Sequence, residues 1–303
     1  MTDGMADSPS CVGVVVVNYG SHSLIRANLW PNTQMPGDVR VVVVDNFTSV
    51  KEAAAASELC DRPGWHFVAN SSNLGYGAAM NKGIQRARAL GCKIFVLLNP
   101  DARIALSDVK LLADRVVECP MRMVSPTVMR PDGSLWFSGG TVLVGQGTTS
   151  TKPGSDSGAP NGWLTGACLV MHDYLWAKVG GFDESFFLYW EDVDLSWRCV
   201  ASGGELSVAD DVYVTHSVGG TQSSLGKSPQ YVFYNCRNRL LFARKHFRSQ
   251  GRSRWAMTSV TYARAVTLRG GRRNFLRDPI RLSFAAVRGT ISGLVSLLAS
   301  DRA

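Results

Sequence analysis

Residues 95–103 read FVLLNPDAR, so a carboxylate follows directly after an apolar run. The residue before a proline is held extended and proline fixes its own φ, so Asn99 and Pro100 carry the strand direction one step further. Asp101 is then presented at the end of the strand, where it can bind Mg²⁺ or Mn²⁺, and such an ion neutralises a diphosphate. The alternative is that Asp101 only caps the turn or helix that follows.

Polar side chains also end three other apolar runs in the first half of the chain: Asn18, Asp45 with Asn46, and Asn70 with Asn73. A single Asp or Asn at a strand end is ordinary turn chemistry. In open α/β sheets, however, ligands bind at the carboxyl ends of the strands. Together with Asn99 and Asp101, these residues therefore predict a binding cleft along one edge of a sheet.

The segment NLGYGAAMNKG, residues 73–83, has the features of a helix start that binds an anion. Asn73 is a candidate N-cap, Gly75 and Gly77 allow close backbone approach, and Asn81 lies two helical turns beyond Asn73. A negatively charged ligand such as a nucleotide sugar is favoured at such a helix start. The alternative is that the glycines serve tight packing alone. The segment matches neither the P-loop pattern nor G-x-G-x-x-G.

Three acidic residues stand within EDVDLSWR, residues 191–198. On a helix, Glu191, Asp194 and Arg198 share one stripe, and Asp194 and Arg198 are spaced to form an ion pair. Asp192 lies apart from the arginine and is the candidate base that takes a proton from a sugar hydroxyl. The alternative is that the acids only complement the helix dipole.

His216 ends a further apolar run, VYVTH, and the chain continues with SVGG. A histidine at a strand end can ligate a metal or hold a phosphate. A lone histidine is otherwise a structural residue, and both interpretations stay open for His216.

These residues need a sheet to bring them together, and the chain supplies the pattern of one. Continuous β-branched runs at 12–17, 39–44, 65–69 and 93–98 are typical of parallel strands buried on both faces. Helices are predicted between them at about 21–34, 50–60 and 74–90. Strand–helix alternation indicates a layered α/β sheet, Rossmann-like and mostly parallel.

Further along, the pattern is looser. We predict a hairpin or irregular strand pair at 134–144, a Gly/Ser/Pro-rich loop at 145–161, a buried strand at 162–171, a short helix at 172–179, and one or two strands at 206–217.

The 303-residue chain is 45% hydrophobic and 18% charged, which indicates a folded globular core. Its seven scattered cysteines form no C-x-x-C pair, so reduced thiols in a cytosolic protein are expected rather than disulfides or zinc. The N-terminus lacks the pattern of a secretory signal. From Arg237 onward there are 15 Lys and Arg against two acidic residues, whereas the preceding residues carry 17 against 22.

The chain resembles the inverting family-two glycosyltransferases of the GT-A fold, and within them bacterial rhamnosyltransferases of cell-wall or surface polysaccharide synthesis. The resemblance covers about residues 12–245 and rests on seven motifs in order: VVVNYG, VVVDNFTS, NLGYGAAMNKG, LLNPDAR, TGACLVM, GGFDESFFLYWEDVDLSWR and VYVTHSVGG. It implies a nucleotide-diphospho-sugar donor, a divalent metal, and single displacement at the anomeric carbon.

The resemblance also implies roles for individual residues. The nucleotide pocket would be lined by Asp45, Asn18 and Asn73, and Asp101 would hold the metal that bridges the diphosphate. Asn-Pro-Asp stands where most such enzymes have Asp-x-Asp, as is usual for the rhamnosyl branch. The metal would therefore be held by Asp101, water and His216. The remaining assignments are Asp192 as general base, Glu191 as an orienter of the acceptor, Trp163, Thr165 and Gly166 at the sugar site, and Arg237 and Asn238 near the acceptor or diphosphate.

The resemblance and the charge pattern divide the chain into a glycosyltransferase domain, 10–245, and a basic amphipathic helical extension, 246–303. The longest charge-free apolar stretch in the extension is about 12 residues, shorter than the roughly 20 of a membrane span. We expect an interfacial anchor on an anionic membrane that carries a lipid-linked acceptor. The alternatives are a packed helical cap, a dimer surface, or nucleic-acid binding.

The sequence-based hypothesis is an inverting metal-dependent transferase that uses dTDP-β-L-rhamnose, cytoplasmic and peripheral at the inner face of the membrane. A UDP-sugar donor is the alternative within the same chemistry. A non-catalytic glycan-assembly protein on the same scaffold is the alternative of another class, and the acids Asp45, Asp101 and Asp192 argue against it. A sugar nucleotidyltransferase needs a Gly-rich, basic loop after the first strand, and NYGSHSLIR is not one.

Overall fold

The computed structural model describes residues 11–30, 33–151, 159–217 and 227–298. In chain order the strands are β1 Val12–Asn18, β2 Val39–Asp45, β3 Trp65–Ala69, β4 Ile94–Leu98, β5 Ala102–Arg103, β6 Arg122–Met129, β7 Leu135–Phe137, β8 Gly140–Leu143, β9 Thr148–Ser150, β10 Gly162–Trp163, β11 Cys168–His172 and β12 Glu205–His216. The helices are α1 His22–Asn28, α2 Val50–Leu59, α3 Tyr76–Ala89, α4 Leu106–Glu118, α5 Asp173–Val179, α6 Glu191–Ala201, α7 Pro229–His246, α8 Ser249–Met257, α9 Ser259–Leu268, α10 Arg272–Arg277 and α11 Pro279–Leu298.

A nine-stranded sheet forms the centre of the fold, in the order β3-β2-β1-β4-β11-β6-β12-β5, with β7 paired to β6. The four strands predicted from valine-rich runs pair in parallel, with Asn18 opposite Asp45 at the last register position of β1 and β2. Both faces of β1 and β4 are buried, because helices cover them, and this explains their unbroken apolar sequences. The polar strand ends therefore meet at one edge, as expected.

The second half of the sheet departs from the simple alternation. Strand β11 runs antiparallel between β4 and β6, while β12 pairs in parallel with β6 across an irregularity between Ala209 and Tyr213. The predicted strand 162–171 is two strands, because residues 164–167 leave the ladder between β10 and β11. The segment 134–144, predicted as a hairpin or irregular pair, forms two strands in different sheets, since β7 joins β6 and β8 joins β9 and β10.

Other predicted bounds change locally. The first helix is shorter than predicted, ending at Asn28, and strand β9 lies within the segment predicted as a loop, of which 152–158 fall outside the described residues. All seven cysteines are free, as expected of reduced thiols.

A second hydrophobic core lies under the C-terminal helices. Its largest members are aromatic: Trp190 from the start of α6, Phe242 from α7, and Trp255 and Tyr262 from α8 and α9. Helix α11 packs closely along α7, and a Cβ on Gly289 would overlap the backbone of Phe233. The predicted boundary at 245/246 remains a prediction, and this core draws on both sides of it.

Arg239 on α7 ties this core together, and among the described residues it has no carboxylate partner. Its guanidinium is fully buried and donates hydrogen bonds to the carbonyls of Gly147 and Trp255 and to the hydroxyl of Thr258. It also lies over the ring of Tyr262, 4.7 Å from the centroid. Burial lowers the pKa of Arg239 to about 10, which still leaves it charged at neutral pH.

Candidate active site

A cavity of about 750 Å³ opens at the carboxyl ends of β1, β2 and β4 and is closed on the other side by α6 and α7. Most of the predicted site residues line it: Asn73, Gly75, Asn99, Asp101, Trp163, Thr165, Gly166, Glu191, Asp192 and His216. The sheet edge therefore brings together residues that are up to 143 positions apart in the sequence, from Asn73 to His216.

A buried polar layer lies behind the cavity wall at the ends of β1 and β2. Asn18 Nδ2 donates to Asp45 Oδ1 at 2.7 Å, and both side chains are fully buried. Burial raises the pKa of Asp45, and its Oδ2 has no hydrogen-bond partner among the described residues. The wall itself carries Asn46, whose Nδ2 donates to Asn73 Oδ1 at 2.9 Å. Contact of Asp45 and Asn18 with a nucleotide stays a prediction.

Asp101 and His216 form the candidate metal position. His216 Nε2 lies 2.9 Å from Asp101 Oδ1, both side chains are buried, and Trp136 packs against the imidazole ring. A carboxylate suits Mg²⁺ or Mn²⁺, so Asp101 would hold such an ion, and the neighbouring imidazole of His216 would supply a second ligand. The described part of the chain offers no cluster of three acidic, histidine or cysteine ligands. Substrate oxygens and water would have to complete the set.

The candidate base is held by backbone N–H groups. Asp192 Oδ2 accepts from the amide of Gly166 at 3.0 Å, and its Oδ1 accepts from the amide of Val193 at 2.9 Å. Burial raises the pKa of Asp192, and these two hydrogen bonds offset part of that rise. The carboxylate is thus fixed in position while it becomes more basic than an exposed aspartate.

Glu191 has a different environment from its neighbour. Burial first, and then the charge of Asp192, raise the pKa of Glu191 well above its usual range. Its Oε2 has no hydrogen-bond partner among the described residues. Glu191 thus lines the cavity with an unpaired carboxyl oxygen, and its raised pKa favours the protonated form, which can donate a hydrogen bond.

Asp194 serves structure rather than chemistry, as the spacing predicted. Its Oδ2 accepts from Arg198 Nε at 2.7 Å, and its Oδ1 accepts from Lys245 and His246. Burial acts to raise the pKa of Asp194, but the His246 hydrogen bond and the nearby cations lower it to about 2. Asp194 therefore anchors α6 to the end of α7.

The turn that leads into Glu191 has an unusual backbone. Tyr189 and Trp190 both have positive φ, 65° and 73°, a region that residues with a Cβ seldom adopt. Such strain persists only where surrounding contacts hold it. Here Asn238 Nδ2 donates to the carbonyls of Leu188 and Tyr189, at 2.8 and 2.9 Å.

Three predicted site residues lie outside the cavity and act on this turn instead. Asn238 is fully buried beneath it, and Arg237 donates to the carbonyl of Ser185 and to the side chain of Asn238. Asn81 accepts from the amide of Phe182 and donates to its carbonyl. Their assignments to donor, acceptor or diphosphate stay predictions, and the hydrogen bonds show in addition that all three hold the backbone of residues 182–189.

Gly75 lines the cavity and also meets the same turn. Its φ is +87°, and an added Cβ would collide with the carbonyl of Phe187, to which the amide of Tyr76 donates at 2.9 Å. The actual N-cap of α3 is Gly75, and Asn73 accepts a hydrogen bond from its amide. On the opposite wall, the hydroxyl of Tyr76 donates to the carbonyl of Gly166.

Several cavity residues were missed by the sequence analysis: Tyr19, Tyr76, Trp136, Tyr189, Lys227, Tyr231 and Arg269. Tyr76 and Tyr189 stand inside quoted motifs and could have been included on that ground. Arg269 gave no signal, because only the packing of α9 against α7 brings it to the cavity, and Lys227 gave none, because it stands outside every motif, just before α7.

Residues 13–165 match the model of glycosyl transferase family 2. The chain belongs to this family. It is 25% identical over 242 residues to the low-salt glycan biosynthesis hexosyltransferase Agl10 of Haloferax volcanii, covering 78% of this chain and 76% of that protein. It is 30% identical over 225 residues to the N-acetylglucosaminyl-diphospho-decaprenol L-rhamnosyltransferase of Mycobacterium tuberculosis, covering 64% and 72%.

Among solved structures, the mannosyltransferase PcManGT of Pyrobaculum calidifontis, in complex with GDP-Man and Mn²⁺, superposes with a TM-score of 0.57 at 16% identity. The match covers 97% of this chain and 90% of that one. With the family match, it confirms the predicted GT-A fold. The chain is therefore a glycosyltransferase by family, and its donor and acceptor are addressed below.

The left-handed turn generates a prediction for Asn238→Ala. Removal of the amide leaves two carbonyls unpaired and frees the turn that aims Glu191 and Asp192, so kcat should fall by about 10²-fold while the KM for the sugar nucleotide changes little. Initial rates of nucleoside diphosphate release test this. Asn161→Ala, which removes an amide bond to the carbonyl of Val142 away from the cavity, is the matched control and should keep its kcat. An Asn238→Ala enzyme with unchanged kcat would contradict the positioning role.

Proposed function

We propose that the protein is an inverting, metal-dependent glycosyltransferase that transfers L-rhamnose from dTDP-β-L-rhamnose to a hydroxyl of a lipid-linked or polysaccharide acceptor. The observation that carries the chemistry is Asp192, which faces the cavity with both oxygens fixed by backbone amides and with its pKa raised. A positioned carboxylate of raised pKa is the general base that single displacement requires.

The reaction follows from the two sides of the cavity. Asp192 takes the proton of the acceptor hydroxyl, whose oxygen attacks the anomeric carbon as the bond to the diphosphate oxygen breaks on the opposite face. Glu191, neutral beside it, donates a hydrogen bond that orients the acceptor. Asp101 and His216 would hold the divalent ion, Mg²⁺ or Mn²⁺, which offsets the charge on the departing diphosphate.

Support for the donor comes from the relatives. The M. tuberculosis relative is named for L-rhamnosyl transfer, and a 23% identical relative from Shigella flexneri is a dTDP-rhamnosyl transferase. The name of the first also specifies an acceptor linked to diphospho-decaprenol. On this basis we propose that the acceptor is lipid-linked and that the protein acts at the inner face of the cell membrane.

The membrane contact in this proposal is the outer face of α11. Ile280, Phe284, Val287, Ile291, Val295 and Leu298 recur every three or four residues and are 56–82% exposed. The opposite face of α11 packs on α7. Among the described residues, α11 is the one helix that is long and apolar enough to cross a membrane. A buried inner face and the arginines Arg281 and Arg288 favour a helix lying in the interface.

The donor prediction is tested by ligand-induced thermal stabilisation. We expect dTDP-rhamnose with Mg²⁺ or Mn²⁺ to raise the melting temperature more than UDP-glucose or UDP-GlcNAc, because a ligand that binds only the folded state stabilises it. Asp101→Asn should remove the metal-dependent part of the rise. A larger rise with a UDP-sugar would show that the UDP-sugar is the preferred donor. No rise with any nucleotide sugar would favour the non-catalytic alternative.

The base assignment is tested by the pair Asp192→Asn and Glu191→Gln. Asp192→Asn should lower kcat by about 10²–10⁴-fold, whereas Glu191→Gln, an isostere of the neutral acid, should stay within about fivefold. Because the base acts deprotonated and its pKa is raised, kcat/KM of the natural enzyme should fall with decreasing pH at a point above the ordinary aspartate value of 3.8. Full transfer activity in Asp192→Asn would show that the base is another group.

The membrane contact is tested by vesicle co-sedimentation. Deletion of residues 252–303 would remove part of the second hydrophobic core, so surface substitutions are used instead. The double variant Ile291→Ser and Val295→Ser should weaken binding to anionic phosphatidylglycerol vesicles by at least about fivefold, since binding scales with buried apolar area. Met257→Ser with Val260→Ser, each 78% exposed outside α11, is the control. Equal binding of the two double variants would contradict the proposal.

A further inference from the structure

A groove of about 360 Å³ lies between the first turns of α7 and the first half of α11. It is lined by Pro229, Gln230, Phe233, Tyr234, Arg281, Phe284, Ala285 and Arg288. Gln230 lines the active-site cavity as well, so the groove adjoins the cavity on its helical side. This side of the cavity is opposite the strand ends. The proposed function places the nucleotide of the donor at the strand ends.

Aromatic rings connect the cavity to the groove. Phe187 lines the cavity, and Tyr234 stacks on it with centroids 5.1 Å apart. Phe233 then meets Tyr234 edge-on at 5.0 Å. Phe284 of α11 forms the far wall and is 61% exposed. An apolar chain therefore has a continuous row of rings to follow from the cavity into the groove.

The groove is also positively charged. The guanidinium of Arg288 lies over the rings of Phe233 and Phe284, at 5.7 and 5.5 Å, and Arg281 lines the groove near it. The lining contains no acidic residue, and within the described residues neither arginine forms an ion pair with a carboxylate. The groove thus combines apolar rings with two cations that lack a counter-charge.

The cations continue toward the cavity. Lys227 lies over the ring of Tyr231 at 4.6 Å, and Arg269 Nη1 donates to the hydroxyl of Tyr231 at 3.2 Å. Both line the cavity, and in the part of the chain that the structure describes neither pairs with an acidic side chain. Four basic side chains therefore flank the route from the acceptor side of the cavity to the surface.

We propose that this groove binds the lipid-diphosphate end of the acceptor, with the phosphates at the arginines and lysine and the first units of the chain against the rings. This rests on the proposed function, which places the acceptor sugar at Asp192. Guanidinium groups recognise phosphate through paired hydrogen bonds, and the aromatic row gives the lipid an apolar surface. The groove would then select acceptors that carry a diphosphate and a lipid over free sugars.

The test uses geranyl diphosphate, a soluble ten-carbon lipid diphosphate, in calorimetric titrations of the full chain with and without saturating dTDP. We expect the double variant Arg281→Ala and Arg288→Ala to bind it at least about tenfold more weakly. Arg272→Ala with Arg273→Ala removes the same charge from α10, outside the groove, and should bind it like the unaltered protein. Both double variants should keep the melting temperature and the affinity for dTDP.

The ligand arms identify what the groove recognises. Geraniol and inorganic pyrophosphate should each bind at least about tenfold more weakly than geranyl diphosphate, because each supplies only half of the contacts. The proposal is overturned if pyrophosphate binds equally well, if the two double variants bind alike, or if dTDP displaces geranyl diphosphate. Failure of the proposed function would instead appear as absence of transfer from dTDP-rhamnose, which these titrations do not measure.

Discussion

Two hydrogen bonds from one asparagine amide hold the turn on which the proposed chemistry depends. Asn238 pairs with the carbonyls of Leu188 and Tyr189, and this fixes two consecutive residues in the left-handed region. Helix α6 starts directly after them, so its first two side chains, Glu191 and Asp192, enter the cavity. Without this turn, the start of α6 would not direct the buried side chains of Glu191 and Asp192 toward the strand ends.

Helix α7 carries this constraint to the rest of the chain. Asn238 faces the turn, while the adjacent Arg239 donates hydrogen bonds to the carbonyls of Gly147 and Trp255. A buried guanidinium surrounded by carbonyls and rings must keep all these partners, since an unsatisfied buried charge is costly. Helix α7 therefore contacts both the turn before α6 and the helices that follow it, so the position of Glu191 and Asp192 depends on the packing of those helices.

Local patterns predicted the parallel strands, the edge on which Asp45 and Asp101 meet, and the assignment of Asp194 and Asp192 to different roles, because each depends on a few neighbouring residues. The antiparallel β11, the left-handed pair and the approach of Arg269 depend on contacts between distant segments, which no short pattern contains. Asn81 and Asn238 stood in recognisable motifs, yet the motif alone could not show that their amides were already engaged with backbone.

The shared core also has a consequence for how the protein is made. Synthesis proceeds from the N-terminus, and domains generally fold as units while the chain emerges. The strands of the sheet, Asp101 and the acids of α6 precede α7 in the chain, and α7 completes its packing against α9 and α11, which follow it. A nascent chain therefore carries Glu191 and Asp192 before the helices that pack on α7 have been made, so the geometry of the proposed transfer arises only after α11 has emerged.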